Sequence, residues 1–112
     1  MLYNKDTKSM EGFKMQYKIY QLNENNSDKL FLPLEALTNK VSIRNYSMVY
    51  QGDVKDLKEV DITNVYSILN EIYYKFNIEP PMDFYGWALS VSDIVEVNGN
   101  RYYVDSINFK RI

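Results

Sequence analysis

Two hydrophobic periods run through this chain, and they mark different elements. Met15, Tyr17 and Ile19 alternate with Gln16, Lys18 and Tyr20, the pattern of a half-buried strand. A polar loop follows at Asn23-Glu24-Asn25-Asn26-Ser27-Asp28. In the stretch from Leu30 to Lys40, Pro33 precedes Leu34-Glu35-Ala36-Leu37. Proline suits a first helical turn, so a short helix is expected there. Ile43 to Tyr50 is strand-like and ends at Gly52-Asp53. The period then changes. Val65, Ile68, Leu69, Ile72 and Phe76 lie on one face of a helix predicted over Thr63 to Phe76. Asp61 or Thr63 can cap its start, Lys75 complements its dipole, Asn77 can supply a left-handed exit and Pro80-Pro81 forbids continuation.

Beyond the helix, Met82 to Ala88 reads as a loop carrying Phe84, Tyr85 and Trp87. Ile94-Val95-Glu96-Val97 and Arg101-Tyr102-Tyr103-Val104 flank Asn98-Gly99. Asn-Gly between β-prone runs is a strong hairpin signal, because a type I′ turn needs positive φ at both central residues. Asn100 leaves a longer turn open. Ile107 to Ile112 reads as a last strand. The order predicts an α+β fold: a small antiparallel sheet, one long and one short helix packed on one face, and a C-terminal β-hairpin. Met1 to Lys14 is polar, mixed and without period, and is expected to be a flexible extension (1–14) ahead of a single domain at 15–112.

Composition narrows the chemistry. The 112 residues include no cysteine and no histidine. Disulfides, thiolate metal sites and every Ser-His or Cys-His catalytic arrangement are thereby excluded. A net charge of −2, from 13 basic and 15 acidic residues, argues against a nucleic-acid partner recognised through bulk charge. No apolar run approaches the length of a membrane span, and the first residues hold no apolar core of a signal peptide, so a cytoplasmic location is expected.

The acidic cluster Asp53, Asp56, Glu59 and Asp61 is interleaved with Lys55 and Lys58 and reads as a solvated face rather than a metal site. Ser90, Ser92 and Asp93 have no base to activate them and read as turn and strand-entry groups. Arg101, Lys110 and Arg111 make a weak phosphate footprint. No catalytic residue, metal ligand or cofactor is therefore expected. The outlier is tyrosine: 11 Tyr stand beside 5 Phe and 1 Trp. Such rings fill half-buried strand positions and are also enriched in contact surfaces. The aromatic loop is open to either use, as a plug or as a platform.

The segment Asn77-Ile78-Glu79-Pro80-Pro81-Met82-Asp83-Phe84-Tyr85-Gly86, followed by Leu89-Ser90-Val91-Ser92-Asp93-Ile94-Val95, resembles the YodL-like domain family. Tyr102-Tyr103-Val104-Asp105-Ser106 with Phe109, and the opening Tyr17-Lys18-Ile19-Tyr20-Gln21-Leu22, extend the resemblance over roughly residues 15–112. Two departures are Asn108, where glycine is common, and Trp87-Ala88 ahead of Leu-Ser-Val-Ser-Asp. The resemblance implies a small accessory protein of Firmicutes mobile elements with no catalytic site to carry over. It implies a non-enzymatic module that binds a host protein and inhibits a defence factor such as a CRISPR RNA-guided nuclease. The alternative is a modulator of the actin-like cell-shape machinery or an accessory protein of conjugation. Phe84, Tyr85, Trp87, Tyr102 and Tyr103 are the candidate contact residues, and self-association into a homodimer is left open.

Overall fold

The computed structural model describes residues 15–38 and 40–112; the expected extension at 1–14 lies outside them. Among the described residues five strands form one antiparallel sheet: β1 (Gln16–Leu22), β2 (Tyr46–Asp53), β3 (Ile94–Val97), β4 (Asn100–Val104) and β5 (Phe109–Arg111). Their spatial order is β2-β1-β3-β4-β5. The long helix α1 spans Val65–Ile78. This is the α+β architecture that the periodicities predict.

The alternation in β1 sets the layers. Tyr17 and Ile19 point to the face that α1 covers, where Ile68, Leu69, Ile72 and Phe76 meet Val95, Val97, Tyr102 and Val104. Each of these helix side chains is fully buried, worth roughly 1.5–3 kcal/mol apiece. Four rings close the β1–β2 side of this core. Phe76 meets Tyr17 edge-on at 6.1 Å, Tyr50 at 5.1 Å and Phe84 at 4.9 Å.

The other face is apolar too. Ile94 and Tyr103 cluster there with Leu22 and Tyr46, and Leu30, Leu34, Leu37, Val41 and Ile43 pack over them. The short helix expected after Pro33 forms as a single 3₁₀ turn, Leu34–Leu37. The expectation placed it beside the long helix; it covers the opposite face instead. The physical reason is the pleat: successive residues of β3 and β4 face opposite ways, so Ile94 and Tyr103 need their own cover.

Local signals resolve in detail. Asn64, not Asp61 or Thr63, caps α1, accepting from the Tyr66 amide. Asp61 makes the preceding turn by accepting from Thr63 N at 3.0 Å and Thr63 Oγ1 at 2.6 Å. Asn77 is not a left-handed exit, since α1 continues to Ile78 and ends at Glu79 with φ −139°. Asn98 and Gly99 take φ of 51° and 86°, the two-residue turn of a tight hairpin. Val97 pairs with Asn100, which settles the loop length.

Gly52 presses on the ring of Tyr17: a Cβ there would lie 2.7 Å from Cζ and Oη. Gly52→Ala is expected to cost about 1–3 kcal/mol through displacement of this ring. The urea midpoint reads the loss directly, and an unchanged midpoint would mean that the Tyr17 ring is free to move.

Candidate functional site

The aromatic loop is built on two anchors. The first is Phe84, whose half-buried ring meets Phe76 and also Tyr50 at 6.0 Å. Asp83 Oδ1 accepts from the Tyr50 hydroxyl at 3.3 Å beside it. The second is Gln21, only 3% exposed. Its Oε1 accepts from Trp87 N at 3.2 Å, and its Nε2 donates to Trp87 O at 2.9 Å. A side-chain amide thus grips both backbone groups of one residue as a neighbouring strand would. Gly86 sits between the anchors. A Cβ there would lie 2.6 Å from Gln21 Oε1 and 2.8 Å from the Phe84 ring, so the loop passes close only because this residue has none.

With its backbone held at both ends, the loop displays its remaining side chains. Tyr85 is 91% exposed, Trp87 64% and Met82 98%. The loop projects rather than encloses. A groove of about 780 Å³ between α1 and residues 56–59 is lined by Glu71, Tyr74, Lys75, Glu79 and Pro81 among others, but not by Tyr85 or Trp87. Small-molecule sites are concave; this loop is a protrusion that carries exposed rings on a held backbone.

Of the five residues singled out from the sequence, Phe84, Tyr85 and Trp87 come together here, with Phe84 as the plug and the other two as the display. Tyr102 and Tyr103 are not contact residues. They are 5% and 0% exposed and point to opposite faces of the sheet. Tyr102 meets Tyr66 of α1 edge-on, and the Tyr103 hydroxyl donates to Leu32 O at 2.7 Å. Central strand positions covered on both faces leave no tyrosine there free. Sequence reasoning did not single out Gln21 or Met82. Gln21 had a signal: it is a polar residue in the inward register of Tyr17 and Ile19.

Ser90, Ser92 and Asp93 are structural, as the turn reading expects. Asp93 Oδ2 accepts from Ser90 N at 2.9 Å and from Gln21 Nε2 at 3.1 Å. Ser92 Oγ accepts from Phe31 N at 3.1 Å, and Ser92 O accepts from the Tyr46 hydroxyl at 2.7 Å. Ser92 takes φ of 90°, unusual for a residue other than glycine. Asn77 Nδ2 donates to Leu89 O at 3.1 Å, tying α1 to the same segment. Of the remaining cations, Arg101 pairs with Glu96 at 3.1 Å and Arg111 donates to Asn100 Oδ1 at 2.8 Å.

Burial pushes the Asp93 carboxyl up to about 7, against the opposing pull of the Ser90 amide and the Gln21 side chain. In the unfolded chain an aspartate ionises near 4. A raised folded value favours the folded state fully below that pH, and the advantage is lost as pH rises to about 7. The urea midpoint, followed across this window, is therefore expected to fall in the wild type relative to Asp93→Asn, which keeps the acceptor and cannot ionise. A constant difference between the two would contradict a buried, reluctant carboxyl.

No curated protein and no solved structure matches the chain. One family model does, over residues 16–112, and that span takes in β1, the Gln21 grip, the aromatic loop and the whole C-terminal sheet. The chain belongs to the YodL-like domain family.

Proposed function

We propose that this chain is a non-enzymatic protein-binding module that presents Tyr85 and Trp87, with Met82 on the same loop, to a partner protein. The observation that carries this reading is the combination of exposed rings with an immobilised backbone. Gln21 fixes Trp87 at both its amide and its carbonyl, so little ordering remains to be paid on binding. The polar groups that could suggest catalysis support the same reading. Ser92 Oγ and Asp93 Oδ2 each accept from a backbone amide, Phe31 N for the first and Ser90 N for the second, and the chain has no histidine to activate a serine.

The partner class rests on the family resemblance. A YodL-like protein of a mobile element, working in the cytoplasm, would act on a host protein, and a defence factor such as a CRISPR RNA-guided nuclease is the target we assign. Among the described residues no helix is long and apolar enough to cross a membrane, which is compatible with that setting.

The test is target-DNA cleavage by the guide-loaded nuclease, with and without the purified protein. Inhibition is expected. Tyr85→Ala and Trp87→Ala should each weaken it by roughly 30-fold or more, about 2 kcal/mol, as loss of an aromatic anchor does. Both variants should keep their unfolding midpoint to within about 0.5 kcal/mol, because each side chain is exposed. No inhibition, together with altered cell width on expression in a host, would move the target to the cell-shape machinery.

A further inference from the structure

The two edges of the sheet are built differently. β5 has three residues and carries Lys110 and Arg111, the short and charged form that blunts an edge. At the opposite end of the sheet, β2 has eight residues, Tyr-Ser-Met-Val-Tyr-Gln-Gly-Asp. It contains no proline, lysine or arginine, and its one ionisable carboxyl, Asp53, stands at its end. One side of β2 pairs with β1 from Gln16↔Asp53 to Leu22↔Tyr46. Among the described residues, apart from Tyr46 N, which donates to Ile43 O, no backbone group of β2 bonds to a segment other than β1. The register skips Val49 between Tyr50 and Met48, so a bulge twists the strand at its middle without covering it.

We propose that β2 pairs with β2 of a second copy of this chain, antiparallel across a two-fold axis, so that the two sheets become one. An outward row of amides and carbonyls is matched by an extended strand. The charge pattern selects a second copy as that strand. With Asp53 as the only charge and placed last, every antiparallel register that overlaps by more than one residue avoids setting charge against charge. In the full-length register Asp53 faces Tyr46, and Met48 faces Gln51. The half-exposed Met48 would then be covered by the neighbouring copy, as the isologous geometry of a two-fold interface requires. This pairing does not depend on what the aromatic loop binds.

Sedimentation equilibrium of the full chain over a range of concentrations tests the proposal. A dimer that dissociates on dilution is expected. Met48→Lys with Gln51→Lys should weaken dimerisation at least tenfold, and so should Met48→Glu with Gln51→Glu, because each pair sets like charges opposite one another. An equal mixture of the two double variants should recover the dimer, which also shows that both are folded. A monomer at every concentration would overturn the proposal, as would a dimer that ignores both double variants. Slow exchange, in a monomer, of the outward β2 amides that bond neither to β1 nor, for Tyr46, to Ile43 O would also overturn it, since another part of the chain would then cover the edge.

Discussion

Everything around the entry to β3 depends on satisfying buried polar groups. Ser92 and Asp93 are consecutive, and their side chains bond to different layers. On one face Ser92 Oγ takes the amide of Phe31, which holds the cover over Ile94 and Tyr103. On the other face Asp93 takes the Ser90 amide and the Gln21 side chain, and through Gln21 it steadies Trp87. Two adjacent residues therefore fasten both irregular layers to the sheet. Leaving such groups unpaired in a low-dielectric interior is costly. Among the described residues, every fully buried side-chain nitrogen or oxygen has a partner.

The same pairing explains what the stretch from Leu89 to Asp105 does in the fold. Leu89 is a core plug, Ser92 and Asp93 are fasteners, Tyr103 reaches Leu32, and Asp105 Oδ1 takes the Leu34 amide at 3.1 Å. Three of these groups pin the one run of residues from Phe31 to Leu34, which has no ladder of its own. A 3₁₀ turn of four residues is too short to stand without such ties. Ser92, Tyr103 and Asp105 thus close the second face of the sheet. Display to solvent falls to the loop between α1 and β3, where Tyr85 and Trp87 are exposed.

Several elements were legible before the fold was known. The α1 stripe at Val65, Ile68, Leu69, Ile72 and Phe76 reads directly because a helical period permits one buried face. Asn98-Gly99 reads because few residues accept positive φ twice in succession. The turn role of Ser90, Ser92 and Asp93 was legible from residue type. What was not legible depended on through-space neighbours. Tyr102 and Tyr103 look like displayed aromatics until five strands are assembled with cover on both faces. Asn77 looks like a helix exit until the loop beyond it folds back: its side-chain amide donates to Tyr73 O within α1 and to Leu89 O, twelve positions on.

Sequence alone determined the elements and their order, the absence of histidine and cysteine chemistry, and the loop on which aromatic residues gather, because each depends on residue type and local spacing. Tertiary structure decided which aromatic residues are buried and which are shown. Phe84 is drawn into the ring cluster with Phe76 and Tyr50, while Tyr85 and Trp87 stay in solvent. The reason is that Gln21, distant in sequence, holds the Trp87 backbone rather than its ring, and a side-chain amide from another strand cannot be placed by any local pattern.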